Sequence, residues 1–172
     1  MISIRPVSRL ASILSVIFVA TVSLPLQAAI TEKLEQTGLP QPARGQLPGD
    51  VVRIVVEALA LNDEPHADAG IETTFAFASP ANKVNTGPLT KFTQMVRTPA
   101  YDIMIDHVEH EFSEVVMMGS DAYQMVRIRG VKGDKAIFAF RLSQQAGGEY
   151  DGMWMTDAVW PVASDNIGEQ AF

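Results

Sequence analysis

The chain has 172 residues, no cysteine, and 20 acidic against 13 basic residues, which gives a formal net charge of −7 at pH 7. The absence of cysteine excludes disulfides, thiolate catalysis, thiolate metal ligands and a lipid anchor on a processed N-terminal cysteine. The acidic balance makes nucleic acid and anionic membrane surfaces poor partners, so we expect neither.

The N-terminus predicts a secretory signal peptide. Residues 1–9 carry two arginines and no acid, residues 10–26 are nearly all apolar, and Ala28-Ala29 suits a cleavage site. The apolar run is short compared with the roughly 20 residues of a membrane span. We therefore expect residues 1–29 to be removed, which leaves no stable membrane span and a periplasmic or secreted protein. An uncleaved N-terminal membrane anchor is the alternative, since Leu26 is not the small residue that cleavage after Ala28 favours.

The rest of the chain predicts one domain between two less structured ends. Residues 30–47 are rich in glycine and proline with few large apolar residues, which is typical of a flexible tether. We expect a single α+β domain over residues 48–163 and a short C-terminal tail over residues 164–172.

The first predicted helix begins after Pro48-Gly49. Asp50 is expected as its N-cap, and the apolar residues that follow recur at helical spacing: Val52, Val55, Val56 and Leu59. Further apolar residues widen this face beyond a single stripe. So broad an apolar surface is typical of a helix that packs against a sheet.

Of the next two predicted elements, the second is better defined by the sequence than the first. Ile71–Ala78 alternates as a strand would and also fits one face of a helix, so its residue pattern leaves both structures open. A later helix is better defined, because Pro88 suits the first helical position and Pro99 prevents continuation. Its apolar face is Leu89, Phe92, Met95 and Val96.

After Tyr101 the sequence predicts four strands. Turn signals recur at regular spacing, at Gly119-Ser120, Gly133-Asp134 and Gly147-Gly148, and each is typical of a β-hairpin. Helices followed by an antiparallel meander predict an α+β fold, with the helices on one face of a curved sheet. The open end of such a sheet is a natural place for a pocket.

Three motifs carry a resemblance to a known family: FASPAN at Phe77–Asn82, GPL at Gly87–Leu89 and MWMTDAV at Met153–Val159. The stretch from about residue 48 to residue 162 resembles the domain of unknown function 4864 family. This resemblance implies a cystatin-like or nuclear-transport-factor-two-like cone, in which three N-terminal helices pack on a curved four-stranded antiparallel meander. The resemblance also implies that Ile71–Ala78 is a helix, and it assigns no functional residue.

The turns also allow a strand register to be predicted. If the turns at Gly119–Asp121 and Gly133-Asp134 are tight, Val126 lies between Glu114 on one side and Arg141 on the other. Arg141 then shares the concave face of the sheet with three residues of the first strand: His110, Phe112 and Glu114.

Two interpretations of this cluster remain open. In the first it is a pocket, where Glu114 or His110 acts as a base and Arg141 anchors an anion or a carbonyl group. The apolar walls of that pocket are Phe112, Tyr101 and Trp154. In the second, Glu114 and Arg141 form an ion pair at the open end of the sheet, because buried charges are usually retained in pairs.

Asp157 is a further candidate, since an acid within the apolar stretch around it needs a partner. One interpretation is a carboxylate that is hydrogen-bonded to a helix terminus or paired with Arg97. The other is a catalytic acid or base with a raised pKa inside the cone, an analogy with enzymes of the wider fold.

The histidines do not predict a metal site. In a strand, a spacing of three places His107 and His110 on opposite faces, whereas ligands of one metal need the same face. His66 lies in an acidic loop without a second nitrogen ligand nearby. No glycine loop precedes a helix in the way that phosphate binding requires. We therefore expect neither a metal nor a cofactor.

The sequence favours a non-catalytic module that binds a small apolar ligand or a protein partner. A homodimer through the sheet face is one such partner, because Trp154 and Trp160 would otherwise expose a large apolar patch. The alternative is a small enzyme of the isomerase, cyclase or hydrolase kind, in which two of Asp157, Glu114 and His110 act as acid and base. A solvent-connected pocket that holds two of these groups would favour the enzyme.

Overall fold

A computed structural model describes residues 38–163 and Phe172. These residues form four α-helices, a 3-10 helix at Asp102–Met104 and five β-strands. The helices are α1 (Pro48–Ala60), α2 (Ala69–Ala76), α3 (Pro80–Thr86) and α4 (Leu89–Val96). The strands are β1 (Glu109–Phe112), β2 (Val116–Met118), β3 (Asp121–Arg129), β4 (Lys135–Gln144) and β5 (Trp154–Val162). The predicted signal peptide, residues 30–37 of the predicted tether and residues 164–171 of the predicted tail lie outside the described residues, and the domain boundaries stay predictions.

Helix α1 begins two residues before the predicted start. Pro48 takes the first helical position, where its missing N–H costs no hydrogen bond. The Asp50 carboxylate accepts a hydrogen bond from the Leu47 N–H at 2.9 Å, so Asp50 lies in the first turn of the helix and is not its N-cap. The buried face is the predicted one with one addition: Val51, Val52, Val55, Val56 and Leu59.

The ambiguous stretch Ile71–Ala78 is mainly helical, as the resemblance implied. Helix α2 ends at Ala76, Phe77 keeps the α conformation, and Ala78 forms an isolated parallel bridge with Thr156 of β5. Ser79 then caps α3, because its Oγ accepts a hydrogen bond from the Asn82 N–H at 3.2 Å. Helix α3 was not predicted. The described part of the chain therefore has one α-helix more than the three that the resemblance implied.

The five strands form one open antiparallel sheet in the order β1-β3-β4-β5, and β2 also pairs with β3. Strands β1 and β2 occupy the same edge, with Ser113–Val115 between them. The first predicted strand is therefore interrupted, and the other three are continuous. The α+β class is confirmed.

The register of β1 preserves the predicted faces. Val126 lies opposite Phe112, two positions from the predicted partner Glu114, and an even shift leaves every side chain on its side of the sheet. On the outer face, Arg127 pairs with Glu111 and Arg129 with Glu109. This face is consequently an ion-paired surface.

The predicted register of β4 is wrong. The loop between β3 and β4 spans residues 130–134 rather than two residues, so Val126 pairs with Phe138 and not with Arg141. A shift by an odd number of residues moves every side chain of β4 to the other face. Arg141 now lies opposite Tyr123, and 44% of its side chain is exposed. The predicted cluster of Arg141 with His110, Phe112 and Glu114 on one face does not form.

The core lies between the helices and the inner face of the sheet. From the sheet it takes Ala122, Val126, Ile128, Phe138, Phe140 and Leu142, and from the helices chiefly the buried face of α1 together with Ile71, Phe92 and Val96. Phe138 and Phe140 are fully buried. Within residues 38–163, no helix is long and apolar enough to cross a membrane.

Candidate functional site

A cavity of about 280 Å³ lies between β5 and the helices, at the edge of the core. Its wall is mostly apolar, and α1, α4, β4 and β5 supply side chains such as Leu59, Phe92, Met95, Val96, Phe140 and Val159. A smaller set of polar residues completes the wall: Thr74, Asn82, Asn85, Thr86, Tyr101, Thr156 and Asp157. An apolar enclosure with a few polar groups is the usual composition of a site for a small molecule.

Two of the motifs in the sequence meet at the wall of this cavity. The Thr156 N–H donates to the Phe77 carbonyl at 2.9 Å, and the Ser79 N–H donates to the Thr156 carbonyl at the same distance. Asn82 adds a hydrogen bond from Nδ2 to the Thr156 carbonyl at 3.1 Å. FASPAN and MWMTDAV therefore join the helices to β5, and the contact holds Thr156 in place.

Asp157 lies at a β-bulge. Thr156 pairs with Leu142 and Ala158 with Arg141, so Asp157 is an extra residue of β5 without a partner on β4. Bulges commonly redirect a side chain and are frequent next to functional sites. The Asp157 side chain is 13% exposed, and its carboxylate lies 3.9 Å from Arg141 Nε, which is too far for a hydrogen bond. The suggested pairing of Asp157 with Arg97 is wrong, because Arg97 pairs with Asp68.

Most polar groups of the wall already have partners. The Tyr101 hydroxyl donates to the Val159 carbonyl at 3.2 Å, and the Thr74 hydroxyl donates to the Gly70 carbonyl at 2.8 Å. The Thr86 hydroxyl bonds to Asn82. Two side chains of the wall lack a hydrogen bond within the described part of the chain: Asp157, and Thr156, whose Oγ1 is buried. Only 4% of Thr156 is exposed.

Sequence reasoning did not single out Thr156 or Asn82. Threonine is common in strands, and Asn82 was taken as part of a motif that specifies the fold. The sequence offered one indication, because Asn82 belongs to FASPAN and Thr156 to MWMTDAV, two motifs of the same family resemblance. The hydrogen bonds between these motifs, which only the structure shows, place both residues in one wall.

The structure brings two of the predicted site residues to the cavity, Tyr101 and Asp157. The other candidates lie elsewhere. Phe112 and Trp154 pack against the core without lining the cavity, and Glu114 is exposed in the interruption between β1 and β2. His110 lies against His107, away from the cavity.

His107 and His110 are in direct contact, so their predicted placement on opposite faces is wrong. His107 Nε2 lies 2.9 Å from His110 Nδ1, and the other ring nitrogen of His107 donates to the Met104 carbonyl at 2.8 Å. The alternation of a strand does not apply to His107, because β1 begins only at Glu109. Across residues 38–163, no group of three or more potential ligands is arranged to hold a metal ion.

The histidine pair predicts a pH dependence of stability. Burial of the ring is the main cause that lowers the pKa of His107, with a smaller contribution of the same sign from His110, while the Met104 hydrogen bond and Asp106 act in the opposite direction. Because the folded protein favours the neutral ring, this stability is fully present above the unfolded pKa of about 6.5. It is lost as the pH falls from there through the lower folded pKa.

The test is the thermal unfolding temperature of the wild type and of His107→Gln, measured from pH 8 to about pH 5, above the range in which ordinary carboxylates titrate. We expect the wild type to lose more stability than the variant below about pH 6.5. Parallel curves for the two proteins would show that His107 does not cause the effect.

The comparisons with known proteins identify a family and nothing further. A family model described as domain of unknown function (DUF4864) matches residues 50–166. No curated protein matches the chain, and no solved structure does so either. The cone fold that the resemblance implied therefore stays a prediction.

Proposed function

The chain belongs to the domain of unknown function (DUF4864) family, and we propose that it is a non-catalytic module that binds a small apolar ligand. The observation that carries this proposal is the cavity beside β5, whose wall is mainly apolar. The signal-like N-terminus supports a module that works in the periplasm or outside the cell.

The volume of the cavity limits the size of the ligand. At about 30 Å³ of liquid volume per water, 280 Å³ corresponds to roughly nine water molecules. A ligand of roughly ten non-hydrogen atoms matches this space, which is near the lower end of the range for small-molecule pockets. A fused bicyclic aromatic ring is a suitable probe.

The position of the acid and base candidates favours binding over catalysis. General acid–base chemistry requires catalytic groups within hydrogen-bond reach of the reacting atoms. Of the three candidates, Asp157 lines the cavity, whereas Glu114 and His110 do not. The cavity therefore contains one of the three proposed acid and base residues, and binding of an apolar ligand needs no acid–base pair.

The test uses residues at the mouth of the cavity. Asn85 lines the cavity and is exposed, and its neighbour Val84 is 84% exposed and does not line it. We expect Asn85→Trp to obstruct the cavity and weaken the binding of 2-naphthol by about tenfold or more, measured by ligand-detected NMR titration. The matched control, Val84→Trp, adds the same side chain outside the cavity and leaves the affinity within about twofold of the wild type. Equal effects of the two variants would contradict the proposal.

A further inference from the structure

We infer that the chain forms a weak homodimer in which strand β2 pairs with β2 of a second copy, antiparallel and across a two-fold axis at Met117. This inference is independent of the cavity beside β5. It concerns an edge of the sheet and not the sheet face that the sequence indicated. Three properties of β2 carry it: exposed apolar side chains, a free backbone edge and a lack of charge.

The first property is the exposure of β2. All three of its side chains are apolar and more than half exposed: Val116, Met117 and Met118. Met117 lies opposite the core residue Ala122 and therefore belongs to the inner face, so its two neighbours belong to the outer face. The strand is consequently uncovered on both faces, and consecutive exposed apolar residues on a sheet edge are typical of a surface that pairs with another chain.

The second property is the free edge of β2. This strand pairs with β3 on one side, and no strand within residues 38–163 pairs with its other side. Met118 and Asp121 close a two-residue turn, so the hydrogen bonds between β2 and β3 fall at Met118 and Val116. By the same alternation, the N–H and C=O of Met117 point away from β3. An extended chain that adds to the sheet would satisfy both groups.

The opposite edge of the sheet, at β5, is protected against such pairing. The N–H and C=O of Thr156 are bonded to the segment 77–79. The Val159 carbonyl accepts a hydrogen bond from the Tyr101 hydroxyl, and Pro161 has no N–H to donate. Natural sheets also use prolines and charged residues to prevent pairing of their edges, and β2 contains neither. The contrast between the two edges indicates that β2 has a partner.

The third property, charge, favours a second copy of the chain as this partner. With the axis at Met117, Val116 lies opposite Met118 of the partner subunit. At the flanks, Glu114 lies opposite Ser120 of the partner subunit, so no like charges face each other across the new edge. The uncharged edge is therefore complementary to itself, which is the requirement for a two-fold dimer.

The small size of the contact limits the stability of this dimer. The two Met117 residues exchange two backbone hydrogen bonds, and a strand of three residues buries little surface compared with the roughly 1,600 Å² of a standard interface. We therefore expect a dissociation constant on the order of 100 μM.

The test is sedimentation equilibrium at protein concentrations below and above this dissociation constant. We expect Met117→Lys to raise the constant about tenfold or more, because the axis brings the two new positive charges together. The matched control, Val131→Lys, adds the same charge at an exposed apolar residue of the loop between β3 and β4. It should leave the dissociation constant within about twofold of the wild type. An equimolar mixture of Met117→Lys and Met117→Glu should associate again, since opposite charges then meet at the axis.

Three results would overturn the inference. A wild type that stays monomeric over the whole concentration range has no such dimer. Equal effects of Met117→Lys and Val131→Lys would show that the copies associate through another surface, such as the sheet face. A mixture of the two Met117 variants that fails to associate would contradict an axis at Met117. Association of the mixture, in contrast, supports the inference and shows that both variants are folded.

Discussion

We expect Gly70→Ala to lower the free energy of unfolding by about 3 kcal/mol or more, because the new methyl group has no space. Gly70 lies in α2 where this helix meets the end of α1. A Cβ atom on Gly70 would lie 2.2 Å from the carbonyl oxygen of Ala58 and 2.9 Å from the Cα of Asn62. Both are backbone atoms, so the conflict is relieved only if the two helices separate.

The separation would also break hydrogen bonds at the same contact. The Gly70 N–H donates to the Asn62 carbonyl at 2.9 Å, and the Ile71 N–H donates to the buried Asn62 side chain at 3.2 Å. The loss of these bonds adds to the steric cost, since Asn62 is 1% exposed and gains no water in exchange.

Urea denaturation of the two variants Gly70→Ala and Gly49→Ala measures this effect. Gly49 is a matched control in the first turn of α1, where the nearest atom to a new Cβ is a movable methyl group of Val115 at 3.3 Å. We expect the control to change stability by less than about 1 kcal/mol in either direction. A Gly70→Ala variant as stable as the control would contradict the close packing of α1 against α2.

The second large effect concerns neighbouring residues of β4. We expect Phe140→Ala to cost about 3 to 5 kcal/mol, because it removes a fully buried aromatic ring and leaves a void. Arg141→Ala should cost no more than about 1 kcal/mol, since 44% of the side chain is exposed and its Nε lies 3.9 Å from the Asp157 carboxylate.

This pair tests the strand register directly. The register that we predicted from a two-residue turn places Arg141 inside and Phe140 outside, and the register of the structure places them the other way round. Equilibrium unfolding of the two variants decides between them. A greater loss of stability in Arg141→Ala than in Phe140→Ala would favour the tight turn and contradict the structure.

The elements of the fold were more predictable than their pairing. Helices α1 and α4 follow from apolar residues at helical spacing, and both are present. The strand register depended on the lengths of the loops. Glycines in the sequence indicate where a turn lies but not how many residues it contains. The loop over residues 130–134 reverses the faces of β4, and that single difference removed Arg141 from the predicted pocket.

The site was predictable only in part for a similar reason. Asp157 stands out in the sequence because an acid is unusual in an apolar stretch, and Tyr101 was predicted to line a pocket. Both residues line the cavity. Thr156 gives no such signal, because an isolated threonine is ordinary in a strand. The position of Thr156 in the cavity wall depends on the contact with Phe77–Asn82 and on the bulge that follows Thr156. Both are features of tertiary structure.

The most direct test of the proposed binding site is an NMR titration of methyl-labelled protein with 2-naphthol. We expect the chemical shifts of methyl groups at Val96, Thr156 and Val159 to change together and to saturate with one affinity, since these residues line the same cavity. The exposed methyl groups of β2, at Val116–Met118, should not respond. Changes confined to β2, or none in the cavity at saturating 2-naphthol, would contradict a binding site between β5 and the helices.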